Sequence, residues 1–251
     1  TKDSNTVTPA GACVAGPITT SAITNIGTQS GGWQDAVVPS LMALRGVGYG
    51  DGKFVAVGTD NTKTSMVSTN GINWTLGTGN NNQPWTAVAY GADKWVAVCA
   101  SGTERAMYSS DGLSWTLLGT SNGVSNGIGW NSIAYGGGRF VAVGGTGTPR
   151  VMYSNDGVSW TAVSSPMGND YWMDIAYGNN KFVAVAKSGS NRFAESSDGI
   201  TWTLNTMPAD SEWGAVTYGN GRFVAVASDG STGTRIAYSD DGQTFNDASP
   251  S

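Results

Sequence analysis

Two residue types recur at fixed places in this sequence and together have the chemistry to bind a sugar. A tryptophan opens an apolar segment at Trp85, Trp130, Trp172 and Trp213. An arginine follows each of them 20 to 22 residues later, at Arg105, Arg150, Arg192 and Arg235. Tryptophan offers a flat apolar face to sugar C–H groups, and arginine donates bidentate hydrogen bonds to hydroxyls or carboxylates. We therefore expect these eight residues to bind carbohydrate or a similar polar ligand.

Both residue types also have a structural interpretation. Tryptophans that recur in every repeat often form the core between neighbours, and repeated arginines often bind the backbone carbonyls of an adjoining repeat. The first repeat lacks both residues, with Leu44 and Thr64 in their places. A shared binding role would explain this joint loss, and so would the N-terminal segment entering at that repeat. The sequence leaves both interpretations open.

The chain lacks histidine, a residue on which many catalytic mechanisms depend. The 251 residues include none, which removes the commonest general base and the commonest metal ligand. No paired-carboxylate motif is present, so a hydrolase would depend on isolated acids such as Asp170 or Glu212. We therefore expect no catalytic residues, no metal, no cofactor and no enzymatic activity.

Charge and composition limit the partners. The formal net charge of −5 argues against nucleic acid and anionic membranes, which attract basic proteins. Apolar runs reach only four or five residues, so no membrane insertion is expected. The polar, lysine-poor composition favours an extracellular location or the surface of a cell or virus particle. Glycans and protein surfaces remain as partners.

The two cysteines, Cys13 and Cys99, fit no zinc or redox spacing. Cys99 stands where the other repeats have small residues, namely Gly58, Gly144, Ala186 and Ala227. In an oxidising compartment a disulfide between the two would pin the N-terminal segment to the rest of the chain. The alternative is two unrelated thiols.

The elements that position these residues come from an internal repeat. An aromatic-glycine step recurs every 41 to 45 residues, at Tyr49, Tyr90, Tyr135, Tyr177 and Tyr218. Each step is followed by a base, an aromatic and Val-Ala-Val, then by a serine, an Asp-Gly or Asn-Gly turn and a last aromatic. Such turns between short apolar runs are strong hairpin signals, and the period is that of a four-stranded propeller blade.

The repeat predicts the fold class and the domain boundaries. Val-Ala-Val is apolar on both faces, so each such strand must be covered on both sides, as happens when blades stack around an axis. No segment shows helical periodicity. We expect an all-β, five-bladed β-propeller of four-stranded antiparallel blades at residues 41–251, preceded by an N-terminal arm at residues 1–40.

The turns resemble the Asp-box repeats of sialidase-like and other bacterial propellers. The motif of that family is Ser-x-Asp-x-Gly-x-Thr-Trp, and residues 109–115 here read Ser-Ser-Asp-Gly-Leu-Ser-Trp, one residue shorter. The resemblance covers all five repeats and implies the propeller fold. It implies little about chemistry, because the motif occurs in proteins of many functions.

The connections on the two faces of such a propeller differ in how much they vary from blade to blade. One carries the Asp-Gly turns and a ring of bases, which we expect to pair with the turn aspartates. The other carries the variable connections 77–84, 119–129, 164–171 and 205–212, where binding residues usually concentrate. We expect a lectin-like or adhesive, non-catalytic binding module that acts through this second face. The alternative is a structural subunit of an extracellular or virion assembly that associates through its N-terminal arm.

Overall fold

The computed structural model describes most of the predicted blades. The described residues are 35–36, 38–39, 42–59, 63–78, 83–164, 167–168, 170–189, 191–229 and 235–248. Nearly all of the predicted N-terminal arm, residues 1–40, lies outside this set, so its boundary and its role in assembly stay predictions. No helix among the described residues has the length and apolar character needed to cross a bilayer.

The regular structure of the described residues is almost entirely β-strand, with one 3₁₀ turn at Thr120–Asn122. The first blade contains β1 (Ala43–Gly50), β2 (Lys53–Thr59), β3 (Ser65–Ser68) and β4 (Thr75–Leu76). The second contains β5 (Trp85–Gly91), β6 (Lys94–Cys99), β7 (Ala106–Ser109) and β8 (Thr116–Leu118). The third contains β9 (Gly129–Gly136), β10 (Arg139–Thr146), β11 (Val151–Ser154) and β12 (Thr161–Ala162). The fourth contains β13 (Trp172–Gly178), β14 (Lys181–Ala186), β15 (Phe193–Ser196) and β16 (Thr203–Asn205), and the fifth β17 (Trp213–Gly219), β18 (Arg222–Ala227), β19 (Ile236–Ser239) and β20 (Asn246–Asp247).

Each blade is an antiparallel sheet whose four strands are hydrogen-bonded in chain order. The prediction of an all-β, five-bladed propeller is therefore confirmed. This order places the first-to-second and third-to-fourth turns on one face, which we call the Asp-Gly face. The second-to-third turns and the blade-to-blade connections lie on the opposite, loop-bearing face. The innermost strands of consecutive blades pack on one another.

The Val-Ala-Val strands form the core between blades. In β6, Val96 and Val98 pack toward the third blade, whereas Ala97 packs toward the first. Alternate residues of a strand point to opposite sides, so the central residues contact both neighbouring blades. All three side chains are fully buried. This two-sided burial explains why the run is apolar without alternation.

Each Asp-Gly turn is held by one serine and one carboxylate. In the second blade, Ser109 Oγ accepts a hydrogen bond from the Gly112 N–H at 2.8 Å. Asp111 Oδ1 accepts the N–H groups of Leu113 and Ser114, both at 2.8 Å. Gly112 has a φ of +79°, which disfavours residues with a Cβ. The other four blades repeat the arrangement, the first with Asn70 in place of aspartate.

Among the described residues, the bases on the Asp-Gly face do not form ion pairs with the carboxylates of the turn aspartates, although Arg139 Nη1 donates to the backbone carbonyl of Asp198. Lys53 lies 3.0 Å from Asp51, and Lys181 lies 3.0 Å from Glu195. Arg222 pairs with Asp240 instead of Asp241. That part of the sequence interpretation is wrong, because each turn carboxylate is already occupied by backbone N–H groups of its own turn.

Candidate functional site on the loop-bearing face

The four recurring tryptophans lie inside the propeller. Trp85, Trp130, Trp172 and Trp213 are each 0% exposed. Three of them anchor the connection that precedes them, because the indole N–H donates to a carbonyl four or five residues earlier: Trp130 to Ser125 at 3.3 Å, Trp172 to Met167 at 2.9 Å and Trp213 to Ala209 at 3.2 Å. Their ring faces are closed to a ligand, so the geometry does not provide the expected sugar platform.

Three of the recurring arginines join consecutive blades. Arg150 Nη1 donates to the carbonyl of Gly145 in its own blade and to that of Asp170 at 2.8 Å in the next. Arg105 Nη1 does the same with Ala100 and Ile128, and Arg192 Nη1 with Lys187 and Ser211. In every case the second acceptor lies two residues before the next tryptophan. The guanidinium groups are therefore largely committed to the scaffold.

The end blades depart from this pattern. In the first blade, Thr59 Oγ1 donates at 3.4 Å to the carbonyl of Gln83, which lies two residues before Trp85. At the other junctions an arginine Nη1 donates to the equivalent carbonyl. Arg235 of the fifth blade is exposed, and its backbone carbonyl accepts the Ala227 N–H at 2.9 Å within its own blade. The absence of tryptophan and arginine in the first blade thus has a structural explanation and gives no separate support to a ligand site.

Near the start of β13 and β17 the loop-bearing face presents side chains that the sequence repeat did not single out. Lys187 Nζ lies 4.3 Å from the centre of the Tyr171 ring, within cation–π range. The Lys187 N–H donates to the Tyr171 carbonyl and the Tyr171 N–H to the Ser188 carbonyl, both at 3.0 Å, as an extension of the β13–β14 ladder. Both side chains are half-buried. They form a rigid aromatic and cationic feature at the mouth of the fourth blade.

Arg192 connects this feature to acidic residues of the next connection, because its Nη1 donates to the carbonyls of Lys187 and Ser211. Asp210 is exposed and pairs with Arg192 Nη2. Glu212 is exposed beside it, and its backbone N–H donates to Asp229 Oδ1. We define the rim cluster as Tyr171, Lys187, Asp210, Glu212 and Asp229. The cluster presents both signs of charge on backbone that is fixed by the adjoining strands.

A buried carboxyl group, that of Asp174, lies on β13. Asp174 is 4% exposed, and its Oδ1 accepts the Ser132 hydroxyl at 2.6 Å and the Ile175 N–H at 2.9 Å. Its Oδ2 accepts the Val216 N–H at 2.9 Å, so this carboxyl ties the third, fourth and fifth blades together. Burial raises the pKa of Asp174 to about 7, although the three hydrogen bonds act in the opposite direction.

Cys99 is fully buried, and its thiol donates to Gln83 Oε1 at 3.2 Å and the Ser101 carbonyl at 3.1 Å. Burial raises the pKa of this thiol to about 12. Cys13 lies outside the described residues, so the predicted disulfide stays a prediction. Within the described part of the chain, no group of three or more His, Cys, Asp or Glu side chains is placed to hold a metal ion.

No protein-family model and no curated protein matches this sequence. Solved structures are similar to it in fold. Virginiamycin B lyase from Staphylococcus aureus is 13% identical with a TM-score of 0.70, and the match covers 83% of this chain and 71% of the lyase. YCF48 bound to a D1 peptide is 16% identical with a TM-score of 0.60, covering 84% and 69%. A streptogramin B lyase is 12% identical with a TM-score of 0.66, covering 78% and 66%.

These similarities show the fold alone, and they correct one expectation. The structures are β-propellers with repeated four-stranded blades, which supports the propeller part of the resemblance but does not show the Asp-box motif itself. The exclusion of enzymatic activity is wrong as a conclusion from this sequence, because structures similar to it include lyases. The absence of histidine removes one kind of general base, but it does not prevent other side chains from acting as catalytic groups on this fold.

Proposed function

We propose that the protein is a binding propeller that recognises a polypeptide through the rim cluster on its loop-bearing face. The observation that carries this proposal is the non-repeated chemistry of the cluster. Four strands and one turn type are repeated in every blade, whereas Tyr171, Lys187 and Glu212 have no counterparts of the same type in other blades. Side chains that vary above a repeated, rigid scaffold are the usual place for recognition.

The exposed chemistry favours a polypeptide over the carbohydrate expected from the sequence. The tryptophans that would stack on a sugar are buried, and the arginines that would bind its hydroxyls are bonded to carbonyls. The rim cluster instead offers acids, a base and an aromatic ring, which complement a partner with both signs of charge. The propeller YCF48, bound to a peptide, is a precedent for this use of the fold. An extracellular or particle-surface setting belongs to the same proposal and rests on composition.

The test is to screen the purified protein against a display library of random peptides and, in parallel, against a glycan array. We expect selected peptides to carry both acidic and basic residues. Lys187→Ala and Glu212→Ala should each weaken peptide binding about twofold to fivefold, the range for exposed ion pairs.

Lys94→Ala is the matched control, because Lys94 lies on the opposite face, at the start of β6. It should leave the affinity unchanged. Binding to glycans without peptides would contradict the proposal, as would equal losses in Lys94→Ala and Lys187→Ala. A second candidate, a structural subunit of an assembly, is favoured by a different observation, the apolar faces at the two ends of the blade array.

A further inference from the structure

The four junctions between consecutive blades are built from the same contacts. The glycine that ends an innermost strand lies so close to a tyrosine of the next blade that a Cβ there would sit within 2.6 Å of that side chain. The pairs are Gly50–Tyr90, Gly91–Tyr135, Gly136–Tyr177 and Gly178–Tyr218. The glycine of each Asp-Gly turn lies on a valine of the preceding blade, in the pairs Gly112–Val55, Gly157–Val96, Gly199–Val141 and Gly242–Val183. At each junction, a face with a strand-ending glycine and a valine therefore packs against a face with a tyrosine and a turn glycine.

The outer face of the fifth blade has no partner of this kind among the described residues. No heavy atom lies within 4 Å of the place where a Cβ on Gly219 would be. Val226 is 43% exposed and Ile236 is 48% exposed, whereas the corresponding Val185 and Phe193 of the fourth blade are buried. Arg235 at the edge of this face is exposed as well.

The first blade leaves the opposite kind of face open. Tyr49 and Val47 are each 37% exposed, and Leu44 and Ile72 beside them are also exposed. The residues that correspond to Val47 in the other blades are Val88, Ile133, Ile175 and Val216, and all four are buried. The strands β1 and β17 do not pack on one another as the innermost strands of consecutive blades do. Within the described part of the chain, the blade array therefore ends in two apolar faces.

These two end faces are the two halves of one more junction. The face of the fifth blade offers the strand-ending Gly219, the valine face of β18 and the exposed Arg235. The face of the first blade offers the Tyr49 ring and the Asn70-Gly71 turn. Gly71 approaches only Phe54 of its own blade, whereas every other turn glycine contacts the preceding blade. Complementary apolar faces of this kind mark an association surface.

We propose that a second copy of this chain docks on these faces head to tail, with the fifth blade of one copy against the first blade of the next. Closure within one chain would require four junctions with fully buried cores to change their angles together, and close-packed interfaces resist such deformation. A second copy can meet either face without altering any junction. The contact is heterologous, so it extends as a helical stack unless its rotation closes a ring. This proposal is independent of peptide binding at the rim cluster.

Sedimentation velocity of the full chain over a range of concentrations tests the proposal. The wild type should show masses that rise with concentration in steps of one chain. Ile236→Arg on the fifth blade and Val47→Glu on the first should each be monomeric, because each loses one half of the contact. Both side chains are already solvent-accessible, so folding should survive, as circular dichroism can verify. Val226→Glu is a second variant of the fifth-blade face.

Mixing the two variants gives the sharpest outcome. Each retains the face that the other lacks, so an equimolar mixture should form a dimer and nothing larger. Leu117→Glu is the matched control, since Leu117 is exposed on β8, away from both faces, and should associate like the wild type. A wild type that is monomeric at every concentration overturns the proposal and implies that the chain covers its own faces. Association of Val47→Glu alone, or a mixture without dimers, overturns the head-to-tail arrangement.

Discussion

At the residue scale, the carboxyl of Asp174 lies in an environment very unlike that of a free aspartate side chain. The other blades carry Gly46, Ala87, Ser132 and Ala215 at the corresponding place on the innermost strand. An isolated acid within a strand is usually exposed, so residue type alone does not predict the burial of Asp174. The signal that was available is the departure from small residues at one place in the repeat.

We predict that Asp174 makes the protein less stable at pH 8 than at pH 5. Its pKa is about 7 in the folded chain, against 3.8 for a free aspartate. The folded state therefore favours the protonated form, and this contribution is complete below about pH 4 and lost as the pH rises through 7. Between pH 5 and pH 8 the free energy of unfolding should fall by roughly 2–3 kcal/mol, because part of the contribution is already lost at pH 5. Chemical denaturation at both pH values should show it.

Asp174→Asn provides the comparison for this prediction. The variant has no carboxyl at this place, so its stability should change little between pH 5 and pH 8. The chain contains no histidine to add a second titration in that window. Asp210→Asn, which removes an exposed acid, should keep the wild-type slope. Parallel curves for the wild type and Asp174→Asn would refute the assignment.

The recurring tryptophans and arginines show that a residue pattern predicts position in the repeat but not the contacts of a side chain. Their positions were predictable from the repeat. Their orientation was not, because both sides of a blade are covered and strand alternation does not separate a ligand from a neighbouring blade. Only the contacts of the indole N–H and of Arg150 Nη1 with backbone carbonyls distinguish an anchor from a binding group.

At the element scale, strands and turns followed closely from local chemistry. Val-Ala-Val runs predicted strands that are buried on both sides, and Asp-Gly pairs predicted the hairpins that join the third and fourth strands. The rim cluster was less predictable, because the environments of Tyr171 and Lys187 depend on an extension of the β13–β14 ladder. Loop residues of that kind show no periodicity.

For the turn of the third blade we predict that an amide can replace the carboxylate but a methyl group cannot. Asp156 Oδ1 accepts the N–H groups of Val158 at 2.8 Å and Ser159 at 2.7 Å. Asn70 makes the equivalent bonds in the first blade at 2.9 Å. Asp156→Asn should therefore cost less than about 0.5 kcal/mol, and Asp156→Ala about 1–2 kcal/mol, as for the loss of a helix cap. Thermal unfolding at pH 7 measures both.

Lowering the pH tests the contribution of the Asp156 charge separately from that of the turn geometry. Partial burial raises the pKa of Asp156, but hydrogen bonds from Ser159, Val158 and Ser154 outweigh it and lower the pKa to about 2. The stabilisation is present above about pH 4 and is lost as the pH falls through 2. Asp156→Asn should lose less stability than the wild type between pH 4 and pH 2. Equal losses would show that the charge of this turn contributes nothing.

At the scale of the whole molecule, five copies of one motif predicted the number of blades. They did not predict whether the last blade meets the first. The angle between blades depends on the side-chain volumes packed at each junction, such as the tyrosine ring against a strand-ending glycine. A repeat period contains no measure of that angle, so the two open end faces were visible only in the structure.

An array with two open ends should be least protected at its end blades. Among the residues that the structure places, each inner blade is packed on both faces, whereas the first and fifth blades are packed on one. In repeat arrays stability follows the contacts between neighbours. We predict that the amides of residues 55–57 and 224–226 exchange with deuterium faster than those of residues 141–143. Native-state exchange measured by mass spectrometry in dilute solution tests this. Raising the concentration should slow both end blades if copies associate, because association stabilises the folded ends. Uniform protection in dilute solution would instead indicate a closed ring in which every blade has two neighbours.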